Sequence, residues 1–440
     1  MTGPGAVVFT PASRVQAMLD VEVALAEALA AVGVIPASSV APIRAAARGE
    51  HYDMAGLAAD AERAGNLLIP LVHRMTERVA SADPTAAGHV HVVVTSQDVM
   101  DTALVLQLRT AVGEVLVSLA RAADAAAHLA RRYVATPMAG RTWLQQATPT
   151  TFGLRAAGWL DGILGARQRL SAALDNALVI QLGGATGTLS SLGAAGPAVT
   201  EAFASRLDLK VPDTPWHTER GRLVGVACAL GMACGSLGKI GRDIGLLAQT
   251  EVGEVVEQSA SGRGGSSSMP HKRNPVASAA AAAAAVQAPG LVGTMLSAMP
   301  QEHERAFGGW QAEWDTLPAL VELTARSARA MAEALAHLVV DPSRMRANLD
   351  AAGGVARAEG LVQALAPHLG RRNARSLVER VCARAMADGR GLQEMAAGEP
   401  EVQAHLDAAQ IVTALDPGGF GGSSRSFVDR VLARWQRERV

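Results

Sequence analysis

The stretch from Ser96 to Tyr133 reads SQDVMDTALVLQLRTAVGEVLVSLARAADAAAHLARRY and contains no proline. Apolar residues recur in it every three or four positions, at Leu104, Leu108, Val112, Val115, Leu119, Ala122, Ala126 and Leu129. This spacing places them on one face of a single helix, which is about three times the average helix length in globular proteins. Because helices of this length pack side by side in bundles, we predict an all-α fold built on a long helical bundle.

Further helices are predicted at 13–33, 149–177, 217–257, 276–286 and 317–339. Small residues follow the middle of 217–257, and 276–286 is almost entirely alanine, so these helices should pack closely as central elements. The best strand candidate is the short apolar run Val90–Val94. Shorter helices with arginine-rich faces follow Pro342. We therefore predict an N-terminal helical domain at 1–95, a central bundle domain at 96–341, and a small C-terminal domain at 342–440.

The composition limits the classes of partner. The chain is 49% hydrophobic and 18% charged, with a formal net charge of −1, so no nucleic-acid or membrane partner is expected. We find no signal peptide at the N-terminus and expect no apolar run that spans a membrane. Three cysteines, Cys228, Cys234 and Cys382, lack the spacing of a metal or disulfide framework. A cytoplasmic protein without a metal or organic cofactor is predicted.

The segment 261–275 reads SGRGGSSSMPHKRNP and combines glycines, serine hydroxyls and cations. It precedes the alanine-rich helix, whose N-terminus carries a partial positive charge. This serine loop is therefore suited to hold a carboxylate, with backbone N–H groups and Lys272 as donors. A flexible linker is the alternative interpretation.

Three other segments carry polar residues where helices are expected to end, at 91–102, 140–149 and 301–314. Each also has a purely structural interpretation. Thr95 and Ser96 could cap the long helix, Arg141 could be a surface cation, and 303–305 could be a solvated turn.

Together these segments contain three short motifs of the fumarase/aspartase superfamily. They are Thr-Ser-x-Asp at 95–98, Gly-Arg-Thr-x-x-Gln-x-Ala at 140–147, and Gly-Ser-Ser-x-Met-Pro-x-Lys-x-Asn-Pro at 265–275. Longer matches, including Met299–Arg305, make the chain most similar to the 3-carboxy-cis,cis-muconate cycloisomerase branch. The resemblance spans nearly the whole chain.

The resemblance implies a three-domain fold and a homotetramer with a twenty-helix core, in which several subunits share each active site. It implies cycloisomerisation of 3-carboxy-cis,cis-muconate to 4-carboxymuconolactone in protocatechuate catabolism. In that reaction a substrate carboxylate adds to its own double bond. By the resemblance Ser266 exchanges the carbon proton, and Lys272 activates Ser266 and binds a carboxylate.

The same resemblance assigns substrate contacts to a set of polar side chains and one methionine. They are Arg14, His91, Thr95, Ser96, Arg141, Thr142, Gln145, Ser267, Met269, Asn274, His303 and Arg305.

Two positions depart from the pattern of the branch. Gln146 stands where a histidine is expected, and Val93 stands where a glycine is expected. Glutamine transfers no proton, but a reacting carboxylate needs none because its reference pKa is about 4. Gln146 therefore fits a cycloisomerase. It fits equally a lyase that expels a stable anion, such as nitrite from nitrosuccinate, and a non-catalytic relative is the third interpretation.

Overall fold

A computed structural model describes residues 8–258, 265, 269, 272–351 and 353–439. Helices account for most of these residues, which confirms the all-α class. In chain order they are α1 (Pro11–Ala31), α2 (Val40–Ala46), α3 (Met54–Ala64), α4 (Leu68–Ala82), α5 (Pro84–Ala87), α6 (Ser96–Arg132), α7 (Phe152–Ala177), α8 (Gly196–Leu207), α9 (Gly221–Leu247), α10 (Val276–Ala298), α11 (Gly309–Ala336), α12 (Pro342–Ala351), α13 (Ala358–Leu369), α14 (Arg371–Asp388), α15 (Leu392–Ala397), α16 (Pro400–Gln403), α17 (Ala408–Ala414) and α18 (Ser424–Glu438). The strands are β1 (Pro137–Thr142), β2 (Gln145–Thr151), β3 (Val255–Glu257) and β4 (Leu338–Val340).

The predicted long helices are present with shifted ends. α6 has 37 residues and begins at Ser96, as expected from its periodicity. α1 begins at Pro11 because the side chain of Thr10, and not that of Ser13, accepts the capping hydrogen bond. α9 ends at Leu247, ten residues before the predicted end at 257. Val255–Glu257 is not helical but pairs with Leu338–Val340 in a small antiparallel sheet.

The second motif lies in a β-hairpin, which the sequence did not predict. β1 and β2 pair antiparallel with a bulge between Ala139 and Gly140. Trp143 and Leu144 form the two-residue turn, with φ of 52° and 63°. Such a turn normally uses asparagine and glycine, so its bulky residues concealed it. The predicted helix start at 149 is therefore wrong, and the helix begins at Phe152.

Residues 90–94 form a turn and not the predicted strand. His91 and Val93 adopt φ of 56° and 66°, which a strand excludes. Positive φ is rare for a β-branched residue, so Val93 holds a strained backbone at the position where the resemblance expects glycine.

The chain divides into two compact units. The first comprises residues 1–118, 166–235 and 283–328, and the second comprises 119–165, 236–282 and 329–440. The first contains a hydrophobic core contributed by α1–α5, the start of α6, and α8. The second contains a separate core between Leu361 and Leu415. The division into three sequence domains remains a prediction.

Three helices, Ser96–Arg132, Gly221–Leu247 and Val276–Ala298, are long and apolar enough to cross a membrane by length and composition. The expectation that no segment reaches this hydrophobicity is therefore wrong. Alanine and the aliphatic residues of bundle helices raise the mean hydropathy as those of a membrane span do. In the most apolar window of α10 only 22% of the residues are buried within the chain.

Candidate functional site

In the first unit, the buried carboxylate of Asp98 organises the first motif. It accepts hydrogen bonds from the backbone N–H of Thr95 (3.0 Å) and from those of Gly183 and Gly184 (both 2.9 Å). His217 Nε2 lies 2.7 Å from the same carboxylate, and both side chains are buried. Asp98 therefore fixes the start of α6 against the loop that contains Gly183 and Gly184. It is also the structural partner of His217.

Close packing explains the glycines of that loop. A Cβ on Gly183 would lie 2.7 Å from His217 Cε1 and 2.8 Å from Pro215 Cβ. Gly184 has a φ of 69°, a conformation that side chains disfavour. The backbone thus passes directly beside the first motif.

Arg305 contacts the same cluster through neutral oxygens. Its Nη1 donates to Gln97 Oε1 at 3.0 Å, and its Nη2 donates to the carbonyl of Ala185 at 2.8 Å. Within the described part of the chain no carboxylate lies within ion-pair distance of this guanidinium. The first unit therefore brings Arg305 against Gln97, which follows Thr95 and Ser96 in the first motif, and leaves its positive charge without a carboxylate partner among the described residues.

A buried charge network contacts Gln97 through Asp101. The guanidinium of Arg220 lies between the carboxylates of Asp101 and Glu313, and all three side chains are at most 1% exposed. Trp310 Nε1 and Gln301 Nε2 donate to the two carboxylates. Burial raises the pKa of Glu313, against the lowering effect of Arg220. Glu313 lies in the segment 301–314 that the sequence analysis selected, but no sequence pattern indicated a role for Arg220.

Two further predicted contacts in the first unit face acidic side chains. His91 Nδ1 lies 2.6 Å from the buried carboxylate of Glu22. Burial lowers the pKa of His91, but the hydrogen bond and charge of Glu22 outweigh it, and the net shift is upward. Arg14 lies 3.4 Å from exposed Asp315 and lines a largely apolar cavity of about 660 Å³.

His303, also predicted to bind substrate, is exposed and has a φ of 46°. Its carbonyl accepts a hydrogen bond from the hydroxyl of Thr218 at 2.8 Å. That contact fixes the turn that precedes Arg305.

In the second unit, Arg141 is ion-paired. Its two terminal nitrogens donate to the carboxylate of Glu254 at 3.0 and 2.6 Å, and Glu254 is fully buried. Asn348 Nδ2 donates to Glu254, and the Asn348 carbonyl accepts from Gln146 Nε2 at 3.0 Å. One network therefore holds both strands of the hairpin. Thr142 and Gln145 pair beside the exposed turn.

The start of α10 binds a carboxylate from the protein itself. Glu257 accepts hydrogen bonds from the N–H groups of Ala277 (2.8 Å) and Ser278 (3.0 Å) and from the Ser278 hydroxyl (2.6 Å). This helix end is thus occupied and is not the free carboxylate site that the sequence indicated. Met269, Lys272 and Asn274 flank it in sequence.

Ser266 and Ser267 lie outside the described residues, as does His271. Their assigned roles remain predictions. Among the residues that the structure describes, no group of three histidine, cysteine or acidic side chains is arranged to hold a metal ion.

The chain matches two protein-family profiles and closely resembles proteins of known activity. Residues 6–290 match the family described as lyase, and residues 354–431 match the adenylosuccinate lyase C-terminus. The chain is 49% identical to 3-carboxy-cis,cis-muconate cycloisomerase of Pseudomonas aeruginosa, over 98% of this chain and 94% of that protein. It is 42% identical to nitrosuccinate lyase of Streptomyces davaonensis, over 96% of this chain and 90% of that protein.

Among solved structures, the 3-carboxy-cis,cis-muconate lactonizing enzyme of Pseudomonas putida superposes with a TM-score of 0.95 at 45% identity. The match covers 99% of this chain and 98% of that structure. With its motifs and long helices, the chain therefore belongs to the lyase family of the fumarase/aspartase superfamily.

Proposed function

We propose that this protein is an enzyme that converts 3-carboxy-cis,cis-muconate to 4-carboxymuconolactone in protocatechuate catabolism. The observation that carries the proposal is the uncompensated guanidinium of Arg305, which donates to Gln97 of the first motif and to the Ala185 carbonyl. A substrate with three carboxylates needs such a cation, and charge-assisted hydrogen bonds to a carboxylate are strong. The similarity to named cycloisomerases supports the assignment.

The reaction adds one substrate carboxylate oxygen to a carbon of the double bond. The π electrons of that bond then take a proton from the Ser266 hydroxyl at the adjacent carbon, and solvent restores the serine proton. The charge that develops on the neighbouring carboxylate is stabilised by nearby cations and hydrogen-bond donors. We assign this role to Lys272 and Asn274.

Gln146 supports a reaction without a second acid. Its amide donates to the Asn348 carbonyl, so it holds the hairpin in place. An attacking carboxylate is already ionised near neutral pH and needs no base.

We further propose that the enzyme is a cytoplasmic homotetramer with shared active sites. The exposed apolar surface of α10 supports burial against other copies, because such a patch is unfavourable in water. Cys228, Cys234 and Cys382 form no disulfide, which fits a reducing compartment.

A second candidate is release of nitrite from nitrosuccinate, which the similarity to the Streptomyces davaonensis enzyme supports. Expulsion of a stable anion also needs no acid at position 146. The cation of Arg305 serves either substrate.

Ultraviolet absorbance separates the candidates. Purified protein should remove the conjugated-diene band of 3-carboxy-cis,cis-muconate at an enzymatic rate, and Ser266→Ala should lose nearly all turnover while its oligomeric state is unchanged. Nitrite release from nitrosuccinate without loss of the diene would establish the second candidate. Inactivity of a correctly assembled protein on both substrates would favour a non-catalytic relative.

A further inference from the structure

The side chain of Gln97 connects Arg305 to the buried charge network. Gln97 is fully buried at the second residue of α6. Its Nε2 donates to Asp101 Oδ2 at 3.1 Å and to the His217 carbonyl at 2.8 Å, and its Oε1 accepts from Arg305 at 3.0 Å. All hydrogen-bonding atoms of this amide are thus engaged on described partners.

The surroundings leave this amide one orientation. The Asp101 carboxylate and the His217 carbonyl only accept hydrogen bonds, so the NH₂ group must face them. The guanidinium of Arg305 only donates, so the amide oxygen must face it. Asp101 is itself held by both terminal nitrogens of Arg220, at 2.7 and 3.0 Å, and by Trp310 at 3.1 Å. The oxygen offered to Arg305 is therefore fixed by a rigid buried assembly.

A neutral amide at this position has an electrostatic consequence. It holds one terminal nitrogen of Arg305 without neutralising the charge, whereas a carboxylate there would form an internal ion pair. The other bonded nitrogen contacts the Ala185 carbonyl, which is also neutral. Two neutral acceptors thus orient the cation and leave its charge available to an anion.

We propose that Gln97 is a positioning residue that holds Arg305 as an uncompensated cation and thereby sets affinity for the substrate carboxylate. This inference rests on the proposed function for the identity of the anion. It predicts an effect on KM larger than the effect on kcat, because Gln97 acts on binding through Arg305 and does not touch the reacting carbon.

Gln181 provides a matched control within the same network. It too is fully buried, and its Nε2 approaches Asp101 Oδ2 at 3.5 Å, while its Oε1 accepts from the Trp216 N–H at 2.9 Å. It makes no hydrogen bond to Arg305. Gln181→Met therefore disturbs the buried network to a similar degree without releasing the guanidinium.

The experiment compares Gln97→Met, Gln97→Leu and Gln181→Met in the full-length protein. KM and kcat are measured with 3-carboxy-cis,cis-muconate, and melting temperatures are measured with and without this compound and fumarate. Gln97→Met should raise KM about tenfold at nearly constant kcat, since one hydrogen bond to a charged group is lost. Gln97→Leu, which also lacks the amide, should raise KM to a similar extent. Gln181→Met should keep the wild-type KM.

Equal changes in KM for Gln97→Met and Gln181→Met would overturn the inference, because they would indicate general damage to the network. Wild-type affinity in Gln97→Leu would also overturn it, and this variant tests the inference if Gln97→Met does not fold. Should the wild type lack turnover yet gain thermal stability from either ligand, loss of that gain in the Gln97 variants alone would support the inference while the proposed function fails. A wild type with neither turnover nor ligand stabilisation would overturn both.

Discussion

The two units treat their motif arginines in opposite ways. Arg305 in the first unit is held by two carbonyl oxygens, whereas Arg141 in the second unit grips the buried carboxylate of Glu254 with both terminal nitrogens. Arginines in two motif segments thus serve two different purposes. The Arg305 guanidinium keeps its charge available to an anion. The Arg141 guanidinium is neutralised by Glu254, and this ion pair links the hairpin to the residue that precedes β3.

This difference assigns distinct consequences to losing each arginine. Removal of a partner from a buried ion pair leaves an uncompensated charge in the interior, which costs stability. Removal of a cation held by neutral oxygens leaves no buried charge behind and should affect anion binding instead.

The largest expected effect is that of Arg141→Met. Because Glu254 is fully buried, the variant should lose about 3 kcal/mol of stability, measured as a lower melting temperature. Replacing Glu254 by glutamine in the Arg141→Met background should recover part of the loss, since it removes the unpaired charge. A double variant no more stable than Arg141→Met would contradict an ion-pair role for Arg141.

The next effect is that of Arg305→Met. Substrate KM should rise about 100-fold, equivalent to about 2.7 kcal/mol, with a smaller change in melting temperature than Arg141→Met causes. Arg109→Met is the control, because Arg109 also donates to two carbonyls, those of Leu207 and Asp208, and contacts no motif. Its guanidinium also lies 3.9 Å from the exposed Asp208 carboxylate. A KM for Arg305→Met as low as that of the Arg109 control would remove the distinction between the two units.

The sequence predicted the long helices well because a long helix repeats its signal over many turns. α6 begins where expected, since ten turns of apolar spacing leave little choice of register. The resemblance identified the motif residues. It did not show which of the two arginines, Arg141 or Arg305, pairs with a carboxylate. Arg141 pairs with Glu254, which lies 113 residues further along the chain. Because only the tertiary fold brings the two residues together, no local sequence pattern predicts this pair.

The hairpin and the turn at 90–94 could not be predicted from the sequence because bulky residues adopt strained conformations there. Tight turns with positive φ are recognised by glycine or asparagine, and here Trp143, Leu144 and Val93 occupy such positions. A bulky residue in a strained turn is a poor signal by itself. The polar composition of the neighbouring segments and the motif resemblance indicated that both turns belong to functional regions, but neither indicated the backbone conformation.

A third effect, of about 1 kcal/mol, tests that strain beside the first motif. Val93→Gly should be more stable than Val93→Ala, because both lose the valine side chain but only glycine adopts a φ of 66° without cost. At an ordinary position the order is reversed. Thermal or urea denaturation of the two variants decides between them, and a more stable alanine variant would mean that the left-handed backbone is not retained.

The smallest effect concerns His91, which resembles Arg141 more than Arg305 because it faces a buried carboxylate. Glu22 raises the pKa of His91 in the folded protein above the unfolded value of about 6.5. The protonated pair therefore stabilises the fold fully below about pH 6.5, and this contribution is lost as pH rises through the folded pKa. His91→Gln should flatten the decline of melting temperature as pH rises above about 6.5. His73→Gln, at a histidine whose side chain is 74% exposed, should leave that decline unchanged. If the two variants give the same pH profile as the wild type, the His91–Glu22 contact carries no proton-linked stability.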